Sequence, residues 1–259
     1  MGQIIAMISQ KGGVGKTSTA VNLGACLSAT KRRVLLVDVD PQCGLAQCFG
    51  LDRSAPQIGL LDLLRDGSSP ERAVIQPHRR LPRLNMIPAN IRSAKEEREY
   101  VRILDADPEA MIESLSRLRA QYDYIFIDCP PRLDNPTEAA LILADSYMVP
   151  IQCEFAAVGT VGGVLRSALE IKRQRNPTLG IFGFLVTMAD RRAGFTIQVV
   201  REIREYLKER VFRTIIPRDT RLAEVPRRQA PIIAYDKESP GSRAYVQLTR
   251  EILSKMKAP

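Results

Sequence analysis

A short apolar run, Gln3–Ile8, leads almost directly into Gln10-Lys11-Gly12-Gly13-Val14-Gly15-Lys16-Thr17-Ser18, and helical spacing of Ala20, Leu23 and Leu27 follows. No other feature constrains the fold as tightly. A strand that ends in a glycine-rich turn and resumes as a helix can curl successive backbone N–H groups around one point. The helix N-terminus adds positive potential there. In such a cradle Lys16 would neutralise β- and γ-phosphates, and the Thr17 hydroxyl would ligate Mg²⁺. A strict phosphate loop has glycine six residues before that lysine, where this chain has Gln10. It carries instead a second lysine, Lys11, at the mouth of the loop. A tight strand–helix connection is the bland explanation of a Gly-rich turn, so the rest of the chain must decide.

Six further runs rich in Ile, Val and Phe follow: Arg33–Asp38, Leu84–Pro88, Asp123–Asp128, Ser146–Gln152, Gly180–Thr187 and Val211–Ile216. Each is short and nearly continuous, as strands covered on both faces are. Helical spacing separates them, as at Met111, Leu115 and Leu118, or Val161, Val164, Ala168 and Ile171. A short helix is expected at Leu60–Leu64, between loop residues Pro56–Gln57 and Gly67–Pro70. A last one is expected near Arg243–Lys257, with Tyr245, Leu248, Ile252 and Met256 as its apolar face. The pattern predicts an α/β fold over residues 1–259, one domain with a mostly parallel twisted sheet and helices on both faces. No apolar run approaches the ~20 residues of a membrane span. No charged-then-apolar leader opens the chain, and Ala6 stands where a myristoylation motif wants Ser or Thr. The five cysteines show no CxxC spacing and accompany a single histidine, His78. That disfavours a disulfide scaffold, a zinc site or an iron–sulfur cluster.

Acidic residues stand at two strand ends. Val34–Val37 leads to Asp38-Val39-Asp40-Pro41-Gln42, and Tyr124–Ile127 leads to Asp128-Cys129-Pro130-Pro131. A carboxylate just past a buried strand and beside a phosphate loop holds Mg²⁺ through its waters. Asp38 and Asp40 are two apart and share a side if the strand continues. One would order the loop while the other aligns an attacking water. A lone strand-end Asp more simply caps the next helix. Three of them together with the phosphate loop favour chemistry.

The segments KGGVGKT, VDVDPQ, IDCPP, IPRDTRLAE and PIIAYDKESPGSRAY resemble the ParA/Soj family of chromosome- and plasmid-partition ATPases. That family lies in the deviant phosphate-loop class that also includes MinD. The similarity runs from Gln3 to about Ile252. It implies a phosphate-loop ATPase fold and an ATP-bound sandwich homodimer in which Lys11 reaches the partner subunit's phosphates. It assigns Gly12, Gly13, Val14, Gly15, Lys16, Thr17 and Ser18 to phosphate and Mg²⁺ contact. Asp40 receives the water-activating role, with Asp38 supporting it; Asp38 and Asp128 join Thr17 at the Mg²⁺, Asp128 at second hand. Pro217 and Asp219 would line the adenine end. The chain departs from the family at Cys43-Gly44-Leu45, where Gly-Asn-Ala is common, and at Arg132-Leu133-Asp134, where Ser-Leu-Gly is. Asp219 stands where Asn is frequent.

The charge is lopsided. Residues 1–150 are neutral overall, and the whole net charge of +9 lies after residue 150. Arginine supplies 29 of the 38 basic residues, and its planar fork suits phosphate. Charge alone does not separate a polyanion surface from a solubilising one. The resemblance implies DNA binding without sequence preference, and it points to Arg191 and Arg192, Arg218 and Arg221, and beyond them Arg227 and Arg228. Arg201, Arg204 and Lys208 share a helix face but alternate with Glu202, Glu205 and Glu209, which reads as a solvated, ion-paired helix. The expected function is slow ATP hydrolysis, stimulated by a ParB-like partner, in a cytoplasmic, nucleoid-associated protein. A MinD-type membrane-associated ATPase is the alternative, with membrane binding the weaker reading. An ATP-dependent ligase or amidase, or a scaffold that binds nucleotide without hydrolysis, are the further rivals.

Overall fold

The computed structural model describes residues 2–52, 57–155, 157–190 and 192–255. Six of the seven apolar runs are strands: β1 (Gln3–Met7), β2 (Val34–Asp38), β3 (Leu84–Ile87), β4 (Tyr124–Asp128), β5 (Ser146–Gln152) and β6 (Gly180–Thr187). They form one sheet in the order β3-β2-β4-β1-β5-β6, and every neighbouring pair is parallel. Every residue of β2 and β4 is buried, which is why these runs are continuously apolar rather than alternating.

Side-chain alternation divides the core in two. Ile4, Ala6 and Ile8 join one cluster, and Ile5 and Met7 join the other. The first is covered by α4 (Ala94–Ala106), α5 (Glu109–Leu118), α6 (Asn135–Leu143), α7 (Ala157–Gln174) and α8 (Thr196–Leu207). The second is covered by α1 (Lys16–Ala29) and α12 (Pro240–Lys255). The connection β1–β2 runs toward one sheet edge, whereas β3–β4, β4–β5 and β5–β6 run toward the other. The connection β2–β3 runs the same way as β1–β2, and a single hand of crossover requires opposite directions to use opposite faces, so α1 shares its face with little more than the short segment Gly44–Phe49 of the next crossover. The chain's last helix returns to cover it. Gly24 allows α1 to lie close on the sheet, since a Cβ there would meet Leu36 Cδ2 at 2.9 Å.

The remaining short helices are α2 (Gly44–Phe49), α3 (Leu60–Asp66), α9 (Thr220–Ala223), α10 (Val225–Arg228) and α11 (Ile232–Tyr235). The short helix expected at Leu60–Leu64 is α3. Pro56, Met256 and Lys257 lie outside the described residues.

The seventh run, Val211–Ile216, is not a strand. It follows the edge of β6 and touches it intermittently: Phe212 N–H donates to Phe184 O at 2.9 Å, and Ile216 N–H to Val186 O at 2.9 Å. Between these contacts the N–H groups of Arg213 and Thr214 donate instead to the Glu251 carboxylate on α12, at 2.8 and 3.0 Å. The Thr214 hydroxyl also donates to it at 2.8 Å. A side chain thus takes donors that a ladder would have used. Glu251→Ala should cost about 1–3 kcal/mol in urea unfolding, because it orphans half-buried donors. Glu251→Gln should recover part of that loss. An unchanged midpoint in the alanine variant would show that water serves these groups equally well.

Candidate functional site

The order β4-β1-β5 places β1 at the point where connections diverge, and in open parallel sheets ligand crevices form at the strands' carboxyl ends there. The loop after β1 sits at this point. Gly13 and Gly15 adopt φ 74° and 93°, and Gly15 is the residue from which α1 starts. These left-handed conformations turn the chain back on itself, which glycine does without strain. The Thr187 hydroxyl, at the end of β6, donates to Val14 O at 2.8 Å and fixes the loop. The cavity beside it measures about 500 Å³ and is lined by Gly12, Gly13, Lys16, Thr17, Ser18 and Asp40. Pro217, Asp219, Met188, Leu222 and Tyr245 complete its wall. The loop and the Pro217–Asp219 segment therefore meet at one cavity, as the sequence resemblance implies. Sequence reasoning missed Met188, Leu222 and Tyr245 as walls. Tyr245 had been visible as part of the last helix's apolar stripe.

Lys16 is buried at the first turn of α1. Thr17 Oγ1 donates to Asp128 Oδ2 at 2.6 Å. Asp128 Oδ1 is also buried and accepts from nothing. An unpartnered carboxylate oxygen beside a threonine oxygen suits a hard divalent cation. Among the described residues no cluster of three or more His, Cys, Asp or Glu is arranged to hold a metal by itself. A cation here would need further oxygens from a ligand such as a polyphosphate.

Asp38 and Asp128 pair in register across β2 and β4, and neither is exposed to solvent. Burial pushes the Asp128 carboxyl up to about 7, against the pull of the Thr17 hydrogen bond and Lys16. Burial also raises Asp38, and the neighbouring Asp128 and Asp40 charges add to it. Both Asp38 oxygens are occupied: Oδ1 accepts Asp40 N–H at 3.2 Å and Oδ2 accepts Leu45 N–H at 3.0 Å. Asp38 therefore holds the loop between β2 and α2. Asp40 faces the cavity, and its Oδ1 accepts Gln42 N–H at 2.9 Å. Cys43, at a position with φ 54°, is buried, its Sγ 3.5 Å from both Pro41 O and Ile91 O. Burial pushes the Cys26 and Cys48 thiols up to about 12 and raises Cys129, so these three are protonated packing groups.

Lys11 does not line its own cavity. Its Nζ donates to Gln152 Oε1 at 3.1 Å and pairs with Glu154, both at the end of β5. Asp219 lies at the cavity, but its carboxylate serves the backbone: Oδ1 accepts Arg221 N–H at 2.9 Å and Oδ2 accepts Gly241 N–H at 2.8 Å. It thereby caps α9 and ties it to the first turn of α12.

The basic residues only partly converge. Arg192 and Arg218 line one groove of about 880 Å³, joined from α12 by Arg243, which the sequence reading missed. Arg218 borders both this groove and the cavity. Arg221 instead pairs with Glu224 at 3.3 Å and Asp236 at 3.5 Å, and Arg228 pairs with Glu224 at 3.0 Å. Arg227 is exposed outside the groove, and Arg191 lies outside the described residues. The last helix buries Tyr245, Leu248 and Ile252 against the core that includes α1. Among the described residues no helix is long and apolar enough to cross a membrane.

A family model described as an AAA domain matches residues 2–181. Sporulation initiation inhibitor protein Soj of Bacillus subtilis is 39% identical over 97% of this chain and 98% of its own length. Chromosome partitioning protein ParA of Caulobacter vibrioides is 36% identical over 98% of this chain and 94% of its own. A solved structure of cobyrinic acid a,c-diamide synthase from Mycobacterium smegmatis, with bound ADP and magnesium, superposes with TM-score 0.82. It is 29% identical and covers 100% of this chain and 96% of that one. The strand–loop–helix cradle, its acidic neighbours and these full-length likenesses define a phosphate-loop ATPase. The chain belongs to the ParA/Soj family of chromosome-partitioning ATPases.

The pKa shift at Asp128 sets a pH dependence. The folded chain holds this proton up to about 7, whereas an unfolded Asp loses it near ~4. Wild-type stability should therefore fall as pH rises through that window and level off above it. In Asp128→Asn, without nucleotide, the melting temperature should exceed wild type by a margin that grows across the window. A margin independent of pH would show that this carboxyl is not the one under strain.

Proposed function

We propose that the chain acts as a single ATPase domain that binds ATP with Mg²⁺, dimerises in that state and then binds DNA without sequence preference. The carrying observation is the free Asp128 oxygen beside Thr17 and Lys16, at a cavity that shares the Pro217–Asp219 wall with a basic groove. Gly12–Gly15 N–H groups and Lys16 would hold the phosphates, with Thr17 and Asp128 holding the cation directly and through water. Mg²⁺, when bound, would offset the charge developing on the transferred phosphoryl group. Asp40, on a loop anchored by Asp38, would orient the attacking water and take its proton. Pro217 and Asp219 would border the base, Asp219 by shaping the segment rather than by a free carboxylate.

Lys11 is held by Glu154 in the single chain and would exchange that partner for the phosphates of a second subunit. Such a cation acting across the interface stabilises the transition state and links dimerisation to the γ-phosphate. Arg192 and Arg218 would contact DNA phosphates, and doubling the groove in a dimer would raise avidity. A ParB-like partner would stimulate hydrolysis, and the setting would be the cytoplasm, at the nucleoid. A membrane-bound MinD-type role is the second reading, and the burial of the α12 apolar stripe argues against it.

Lys16→Ala should abolish ATP binding in calorimetry. Asp40→Ala should bind ATP, turn over at least ~10²-fold more slowly and stay on DNA. Normal turnover in that variant would overturn the catalytic assignment. Arg218→Glu should weaken DNA binding most at low salt. Sedimentation of the ATP-bound chain with liposomes, absent with ADP, would favour the membrane reading.

A further inference from the structure

The basic side chains of α8 are not ion-paired with that helix's acids. Arg201 and Arg204, at i and i+3 of α8, and Lys208, in the turn just after it, are exposed, yet none pairs with Glu202, Glu205 or Glu209. Glu202 instead accepts from Gln198 Nε2 at 2.9 Å, and Arg204 donates to Arg213 O at 3.2 Å. The expected ion-paired helix is thus corrected: the bases gather on one flank, and Glu205 alone among the acids reaches it.

That flank forms a groove. Arg201, Arg204 and Lys208 border a trough of about 580 Å³ whose floor is Ile197, Val200 and Ile215. Thr196 and Ile215 line both this trough and the groove that holds Arg192, Arg218 and Arg243. The two grooves therefore adjoin across Thr196 and Ile215, and each carries bases. Their acids are mostly engaged. Asp190 Oδ1 accepts Arg192 N–H at 2.9 Å, both oxygens of Asp219 take backbone donors, and Glu238 pairs with Arg243 in a highly exposed contact. Among the described residues lining the two grooves, Glu205 is the one carboxylate without a hydrogen-bond or ion-pair partner.

We infer that the nucleic-acid track extends past Arg192 and Arg218 along α8, with Arg201, Arg204 and Lys208 as further phosphate contacts. This rests on the DNA-binding reading and enlarges its footprint. The number and spread of the bases favour a polyanion over a small anion: one phosphate needs one pocket, whereas two adjoining grooves present separated cations. Arg201 and Arg204 stand on α8 and Lys208 on the turn that ends it, so their backbone positions are set before binding. Ile197, 74% exposed, would then lie against sugar edges rather than in a dry interface.

The test measures binding of a short duplex of arbitrary sequence to the ATP-loaded full chain over a potassium chloride series. Each phosphate contact contributes about 0.9 to the slope of log K against log salt. The triple variant Arg201→Ala, Arg204→Ala, Lys208→Ala should lower the slope by about 2–3 on that basis. Arg201→Lys, Arg204→Lys and Lys208→Arg together should retain it, since phosphate contact depends on charge and the swapped variant controls for folding. Wild-type binding with an unchanged slope in the alanine variant overturns the extended track and leaves the function standing. Loss of partner stimulation with an unchanged slope also overturns it, and assigns α8 to a protein instead. Absence of any ATP-dependent DNA binding by wild type removes both.

Discussion

Two carboxylates in register on neighbouring parallel strands, both sealed from solvent, set the terms for the rest of the site. Like charges so placed resist ionising together, and burial makes each costlier. Asp38 is sustained by two backbone N–H groups and Asp128 by a threonine hydroxyl, with Lys16 close by. One oxygen of Asp128 remains without a donor. Native chains rarely leave a buried carboxylate oxygen unmet unless a ligand meets it. The loop after β2, the first turn of α1 and the end of β4 converge on that oxygen, so ligand occupancy would be felt by all three.

The phosphate loop was legible because its chemistry is local: glycines, a lysine and a hydroxyl occupy consecutive positions after a strand. The parallel sheet was legible because buried strands are continuously apolar. Val211–Ile216 misled for the same reason, since its side chains are as apolar as a strand's while its donors go to Glu251, 37 residues away from Thr214. Asp219 shows the converse. Its place beside the cavity followed from family likeness, but its carboxylate caps two helical segments, and only the arrival of α12 makes that possible. Long-range partners of this kind leave no periodic trace in the sequence.

The segment Pro217–Asp219 is shared property of the cavity and the outer groove. Arg218 N–H donates to Ala189 O at 2.9 Å, which fastens the segment to the end of β6. The same strand end supplies Thr187, whose hydroxyl grips the phosphate loop at Val14. Loop and groove are therefore tied to neighbouring residues of one strand. If the proposed DNA binding holds, its coupling to nucleotide must be reciprocal: whatever nucleotide did to DNA affinity, DNA would do to nucleotide affinity.

The charge imbalance acquires a geometric meaning on this frame. The neutral first part of the chain holds the phosphate loop and its acids. The basic remainder forms α8, α12 and the segment between them. Arg221 and Arg228 are occupied by Glu224, so the excess cannot be read as a uniform coat. Arg192, Arg218, Arg201, Arg204 and Lys208, none of them ion-paired, border two grooves that share Thr196 and Ile215. A solubilising surface gains nothing from such alignment, whereas a linear polyanion gains from every aligned cation. Alignment, rather than the size of the net charge, is what favours a nucleic-acid partner.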